Sequence, residues 1–192
     1  MKKVVSLVFL AGLFTLCTAV ICLGGQNAGH VLDAPIIEGK SAGGVSIGQT
    51  LDQVVASMGK KPDMTEQPPG SSQKMLIYQL APMTTDQITA LIITMNNGKV
   101  FSIEISDQVT PGRAYSYKGK SSKGFLLGDN LGRVTGLYGK PSIMLGAQGY
   151  WYRDLGIAFF CIGTEAERVP NSVVILAPGS DLPEYLKLSG TH

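Results

Sequence analysis

The chain is poor in the residues that build common active sites. It has two histidines, His30 and His192, and three cysteines, of which only Cys161 lies outside the first 25 residues. An intramolecular disulfide is therefore excluded in the body of the chain. HExxH, CxxC, a Walker loop and a GxGxxG turn after a strand are also missing, so no metal, redox cofactor or nucleotide is expected.

Charge is scarce and balanced. Charged residues make up 16% of the chain, against roughly 25% in an average domain. Lys2 and Lys3 account for the formal charge of +2, and the rest of the chain has equal numbers of acidic and basic residues. Because a nucleic-acid binder normally needs a net basic surface, no nucleic-acid partner is expected.

An uncharged run, residues 4–25, follows the two N-terminal lysines. As a helix it is long enough to cross the roughly 30 Å of a bilayer core, with the lysines on the cytoplasmic side. It also fits a cleaved signal peptide, with Cys22 and Gly24 as the small residues before a cut at Gly25. We expect an exported cell-envelope protein, and both the membrane anchor and the cleaved signal stay open.

The body contains an internal repeat. Residues 44–62 (GVSIGQTLDQVVASMGKKP) and 124–141 (GFLLGDNLGRVTGLYGKP) share Gly-x-x-(Ile/Leu)-Gly-x-x-Leu-x-x-Val-x-x-x-x-Gly-Lys, followed by Pro. Five matched pairs are offset by 80 positions. The repeat residues are Gly44, Gly48, Leu51, Val54, Gly59 and Pro62, matched with Gly124, Gly128, Leu131, Val134, Gly139 and Pro141. Such self-similarity predicts two copies of one structural unit.

Each copy begins with a predicted two-turn helix. The apolar residues have helical spacing: Leu51, Val54, Val55 and Met58 in the first copy, and Leu131, Val134, Leu137 and Tyr138 in the second. Thr50 and Asn130 are expected N-caps, and Gln53 completes a capping box. Gly59 and Gly139 are expected to end the helices.

Three strands are predicted after each helix. They cover 74–80, 88–95 and 99–106 in the first copy, with Asn97-Gly98 as a hairpin turn, and 150–153, 157–162 and 172–177 in the second. The expected fold is α+β, with two tandem αβββ repeats whose short helices pack on antiparallel sheet. The predicted organisation is 1–25 export segment, 26–43 linker, 44–106 first repeat, 107–123 inter-repeat linker, 124–178 second repeat and 179–192 tail.

Strand alternation predicts a protein-binding face. Gln79 and Arg153 should avoid the core, which places Ile77 and Trp151 outward on the same faces. An exposed tryptophan beside an arginine is typical of a binding hot spot. The alternative is a partly covered tryptophan with the Arg153 side chain stacked over it.

The inter-repeat linker is a second candidate surface. Two tyrosines lie between basic residues there, a mixture that suits an anionic cell-envelope polymer or a lipid surface: Arg113, Tyr115, Tyr117, Lys118, Lys120 and Lys123. The same composition is also typical of a solvated linker.

Catalysis is the third hypothesis. A Ser–His–Asp triad needs His30 or His192, and neither lies on a predicted rigid element. Cys161 lies in an apolar run, which favours a buried small hydrophobe over a reactive thiol. A hydrolase with paired carboxylates stays open, because the sequence does not show which carboxylates meet in space.

The glycine motif, the short helix and the Tyr150–Tyr152 strand (Tyr-Trp-Tyr) resemble the β-lactamase inhibitor protein-like fold and the SmpA/OmlA envelope lipoproteins. The resemblance covers residues 44–106 and 124–178. It implies an exported, non-catalytic bacterial protein that binds another envelope protein through a concave sheet face. The disulfides of the first family and the lipobox of the second are missing from this sequence, so the specific functions of those families are not implied.

Overall fold

The computed structural model describes residues 28–82, 84, 87–109, 114–164, 167–183 and 185–186. These ranges form a mixed α/β fold in which a few short helices accompany a large antiparallel sheet. The predicted combination of short helices and antiparallel sheet is confirmed at this level. The export segment lies outside the described residues, and none of the described helices has the length and apolarity that a bilayer span needs.

The described elements are three helices, a 3-10 turn and ten strands. The helices are α1 (Ala28–Leu32), α2 (Leu51–Met58) and α3 (Leu131–Tyr138), and the 3-10 turn covers Arg153–Leu155. A small sheet pairs β1 (Ser41–Ala42) with β2 (Val45–Ser46). The large sheet contains β3 (Met64–Glu66), β4 (Lys74–Gln79), β5 (Gln87–Asn96), β6 (Lys99–Val109), β7 (Ile143–Leu145), β8 (Gly149–Tyr152), β9 (Ile157–Ile162) and β10 (Val169–Leu176).

The large sheet consists of two meanders joined through their last strands. Its order is β3-β4-β5-β6-β10-β9-β8-β7, so α2 precedes one half and α3 the other. At the joint, β6 and β10 are antiparallel, with Glu104 opposite Val174 and Ile103 opposite Ile175. The edge strands β3 and β7 were not predicted, because three residues are too few to show an alternating pattern.

The predicted signals at both helix ends are confirmed. Thr50 and Gln53 form the capping box, and the Asn130 side chain accepts a hydrogen bond from the Arg133 N–H. Gly59 ends α2 in the left-handed region with φ 66°. All six repeat-motif glycines have positive φ, which explains why the motif needs glycine there: Gly44, Gly48, Gly59, Gly124, Gly128 and Gly139.

The principal core lies between the helices and one face of the large sheet. Val54 and Val134 are fully buried in it, whereas Leu51 stays 40% exposed. The strand residues that alternate with the outward-predicted Ile77, Gln79 and Trp151 are all present in this core: Leu76, Tyr78, Leu80, Tyr150 and Tyr152. Cys161 also belongs to it, and burial raises the pKa of its thiol to about 11. The interpretation of Cys161 as a buried hydrophobe is confirmed.

The two segments predicted as linkers are packed against each other where they are described. Val31 and Ile36 are buried, and the Ile36 N–H donates to the Lys120 carbonyl at 2.9 Å. Tyr117 is 1% exposed, and its hydroxyl donates to the Ala34 carbonyl. The two segments therefore pack on each other through a few apolar anchors, which their polar composition hides.

Gly156 and Gly98 give a matched test of packing at the 3-10 turn. A Cβ on Gly156 (φ 66°) would lie 2.2 Å from the Leu176 carbonyl oxygen, whereas a Cβ on Gly98 (φ 74°) meets no atom within 4 Å. Left-handed alanine costs about 1–2 kcal/mol at either site. Only Gly156→Ala adds overpacking against backbone, about 1–3 kcal/mol. In urea denaturation we expect Gly156→Ala to lose more stability than Gly98→Ala, and equal losses would contradict this packing.

Candidate functional site

One row of directly paired residues crosses the whole sheet on the face turned away from the helices. Direct partners in antiparallel strands place their side chains on the same face. From β3 to β7 the row contains Met64, Ile77, Ile92, Glu104, Val174, Ala158, Trp151 and Ile143. The predicted placement of Ile77 and Trp151 opposite the helix-covered core is therefore confirmed. Glu104 is the one charged member of this row, which we call the Glu104 row.

The predicted exposure of Trp151 is wrong. Its side chain is 6% exposed, and Ile77 is only 8% exposed. Trp151 belongs to a second core, formed with residues of β9, β10 and the C-terminal segment (residues 180–183 and 185–186): Ala158, Val174, Leu176, Leu182 and Leu186. Strand alternation identifies the face of a residue but not what else packs on that face. The tail, to which the sequence assigned no contact, provides the cover.

Arg153 lies in the 3-10 turn at the rim of this second core. Its guanidinium is 5.9 Å from the Trp151 ring centroid and 3.6 Å from a carboxylate oxygen of Asp181. The alternative of a covered tryptophan with a stacked arginine is thus the arrangement observed. Both charged side chains are largely exposed, so the ion pair contributes about 0–1 kcal/mol. Gln79, the fourth residue of the predicted face, is partly buried at the end of β4.

A polar centre interrupts the apolar row at Glu104. The Ser172 hydroxyl donates to one carboxyl oxygen at 2.6 Å, and the Tyr185 hydroxyl donates to the other at 2.7 Å. Ser102 Oγ lies on the same face and is buried with no hydrogen-bond partner among the described residues. Thr94 is the direct partner of Ser102 and neighbours the Tyr185 hydroxyl. The centre therefore combines one carboxyl with four hydroxyls.

The Glu104 carboxyl is held in an unfavourable environment for charge. The residue is 8% exposed, and burial raises its pKa above the ordinary value of 4.5, against the opposite effect of its hydrogen bonds to Ser172 and Tyr185. Burial and the adjacent Glu104 also raise the pKa of Tyr185, so its phenol stays protonated as a donor. A buried carboxyl with a shifted pKa marks a candidate functional site. The sequence offered no signal for it, because Glu104 matches an ordinary polar position of an alternating strand.

The second predicted surface, around the inter-repeat segment, does not assemble as expected. Tyr117 is buried in the principal core, and Tyr115 packs partly buried against that core. The physical reason is the buried Asp107 carboxylate, which accepts the Tyr117 N–H at 2.8 Å and holds the segment against the sheet. The prediction that Tyr117 contacts a polymer or lipid is therefore wrong.

The basic residues of that segment differ from its aromatic residues in exposure. Lys118, Lys120 and Lys123 are exposed, and Arg113 lies outside the described residues. The Lys123 ammonium lies 5.0 Å from the ring centroid of Tyr138 in α3. The three lysines are exposed, whereas Tyr115 is half-buried and Tyr117 buried, so the two residue types do not form one exposed surface.

The residues considered for catalysis are also dispersed. His30 is exposed on α1, His192 lies outside the described residues, and the Cys161 thiol is buried. Within the described ranges, no three or more His, Cys, Asp or Glu side chains are grouped to hold a metal ion.

No family model and no curated protein matches the chain. Among solved structures it is similar to a cysteine-rich secretory protein from Staphylococcus aureus subsp. aureus Mu50, with a TM-score of 0.41 and 11% sequence identity. The likeness covers 76% of this chain and 48% of the other, so the chain spans about half the length of that protein. It is too weak to indicate a shared fold or function.

Glu104→Gln tests the environment of the buried carboxyl through pH. The unfolded chain loses the proton near the ordinary pKa of 4.5, whereas the folded chain keeps it to higher pH. Unfolding over that interval releases a proton, so the Glu104 contribution to stability is present at low pH and is lost as pH rises through the raised pKa. Glutamine keeps an acceptor oxygen and removes the titration.

We therefore expect the stability of the wild type, relative to Glu104→Gln, to fall as pH rises above the ordinary carboxyl value of 4.5. Urea denaturation of both proteins at a series of pH values below and above 4.5 measures this difference, and other titrating groups cancel in the comparison. A constant difference across the series would contradict a raised pKa for Glu104.

Proposed function

We propose that the chain is a non-catalytic protein-binding module, exported to the bacterial cell envelope, that binds another envelope protein through the face carrying the Glu104 row. The observation that supports this is the row itself, in which seven apolar side chains and one carboxyl cross all eight strands. Protein interfaces combine an apolar centre with a few polar groups that fix orientation. The polar centre at Glu104 meets that description.

The first half of the face offers accessible contact area. The second core, with Trp151, Val174 and the C-terminal segment, covers the half formed by β8, β9 and β10. On the other half, Met75, Ile92 and Phe101 are partly buried and therefore partly accessible. A partner that binds across β4, β5 and β6 would bury these side chains.

We further propose that the two halves of the sheet are a duplicated unit, each with one helix and the three strands predicted for it. The repeat motif, the matched helix caps and the mirrored strand order support this. Aligning 101–106 (FSIEIS) with 171–176 (NSVVIL) matches Glu104 with Val174, which are also direct partners across the joint. In this alignment the two copies differ at the centre of the face, where the first copy has the carboxyl of Glu104 and the second has the aliphatic side chain of Val174.

Export is supported by residues 4–25 and the lysines before them. We expect the protein in the envelope or medium of producing cells, and mass spectrometry of its N-terminal peptide identifies the form. A chain that starts at Gly25 indicates a cleaved signal, and an intact N-terminus in the membrane fraction indicates an anchor. Intact protein confined to the cytosol would refute export.

Site-specific photo-crosslinking tests the binding face in producing cells. A crosslinker at Ile92 or Phe101 is expected to capture one common protein, because both side chains lie on the proposed face. Crosslinkers at Gln53 and Arg133 are matched controls, since both side chains are exposed on the helices. Equal capture at all four positions would reject the face assignment.

Binding of the purified partner then measures the contribution of the face. Truncation of an energetically important residue near the centre of an interface weakens binding by about 1–2 kcal/mol or more, roughly tenfold in Kd. We expect that loss for Ile92→Ala, with Gln53→Ala as the unchanged control. An unaltered Kd for Ile92→Ala would count against the proposal, provided that circular dichroism shows the variant to be folded.

A further inference from the structure

The C-terminal segment lies where a partner of the Glu104 row would bind. Leu182 and Leu186 are 3% and 8% exposed and pack in the second core with Trp151. Between them in sequence, Tyr185 donates its hydroxyl to Glu104 at 2.7 Å. The segment therefore presents two apolar side chains and one hydrogen-bond donor to the face.

The C-terminal segment does not form a strand of the large sheet. It follows β10, which ends at Leu176, and is not among the eight strands of that sheet. A turn with Gly179 at φ 78° leads into it, and the Gly179 N–H donates to the Arg153 carbonyl. Its side chains reach the face from above, so it can leave without breaking the strand pairing beneath it.

We propose that the C-terminal segment is an intramolecular occupant of the partner-binding face, and that the partner is a protein segment of matching chemistry whose apolar side chains flank a hydroxyl or ammonium donor for Glu104. The inference rests on the proposed function. Partner and segment compete, because both require the Glu104 carboxyl at the joint between the two halves of the sheet. Releasing the segment loses apolar burial but restores conformational entropy to the chain, so the two terms oppose each other.

Trp151 reports directly on the segment. It is the one tryptophan of the chain and lies beneath Leu182 and Leu186. A variant that ends at Ser180 is expected to show red-shifted emission and increased acrylamide quenching. A synthetic peptide of residues 181–192 should reverse both changes when added to that variant.

The hydrogen bond to Glu104 is tested by a second peptide in which the tyrosine that corresponds to Tyr185 is phenylalanine. Loss of one hydrogen bond predicts roughly 3- to 10-fold weaker binding.

In the full chain, Tyr185→Phe and Leu186→Ala are expected to increase the quenching of Trp151. Met144→Ala, which changes a 51% exposed side chain on β7, is the matched control.

Folding is checked at Cys161, which is buried in the principal core on the opposite face of the sheet. Peptide mapping after alkylation should show Cys161 protected in every variant that is interpreted. If the shortened chain loses that protection, the point variants carry the test. Unchanged emission and quenching of Trp151 in folded variants, or failure of the peptide to bind, would overturn the proposal.

The partner identified by crosslinking separates this inference from the proposed function. It is expected to bind the shortened chain more tightly than the full chain, and the peptide should compete with it. Equal affinity for both forms would reject the competing segment while the binding function stands. If crosslinkers at Ile92 and Phe101 capture no common protein, the proposed function fails, and the inference fails with it even if the peptide docks.

Discussion

The pairing of β6 with β10 is the interaction on which the rest of the structure depends. Each half of the sheet has four strands and one eight-residue helix, and a unit of that size buries only a marginal core by itself. The pairing joins the halves into one sheet, with both helices on one face. Its register also fixes the residues of each face. A slip by one residue would move Ile103 and Ile105 out of the principal core and bring Glu104 into it.

That register also determines which residues lie side by side on the face that carries the Glu104 row. It aligns Glu104 with Val174 at the joint and extends the row to Ile77 on one side and Trp151 on the other. The polar centre thus lies where the two halves meet, and the C-terminal segment covers one half. The segment contacts this face through its side chains, and those contacts show which groups the face binds. They are aliphatic groups beside Trp151 and a hydroxyl donor at Glu104.

Local features of the fold could be predicted from the sequence, whereas contacts between distant segments could not. The Thr50–Gln53 capping box and the Asn97-Gly98 hairpin depend on neighbouring residues, and both are present. Strict alternation along β6 would place Phe101 on the same face as Ile103. The strand has a β-bulge there, because Thr94 pairs with Ser102 and Met95 with Val100, which leaves Phe101 without a direct partner on β5. Phe101 therefore contacts the second core on the other face. The cover over Trp151 comes from tail residues whose docking leaves no periodic pattern in the sequence.

The carboxyl at position 104 is not explained by the stability of the sheet. Under the proposed duplication Val174 occupies the corresponding position, so an aliphatic side chain fits the strand geometry there. Replacing a buried polar group and its partners by apolar groups of similar shape is often neutral or stabilising. A carboxyl that accepts hydrogen bonds from Ser172 and Tyr185 instead imposes direction on whatever covers it. Such a group penalises any occupant that brings no donor, and this penalty lets a largely apolar face discriminate between partners.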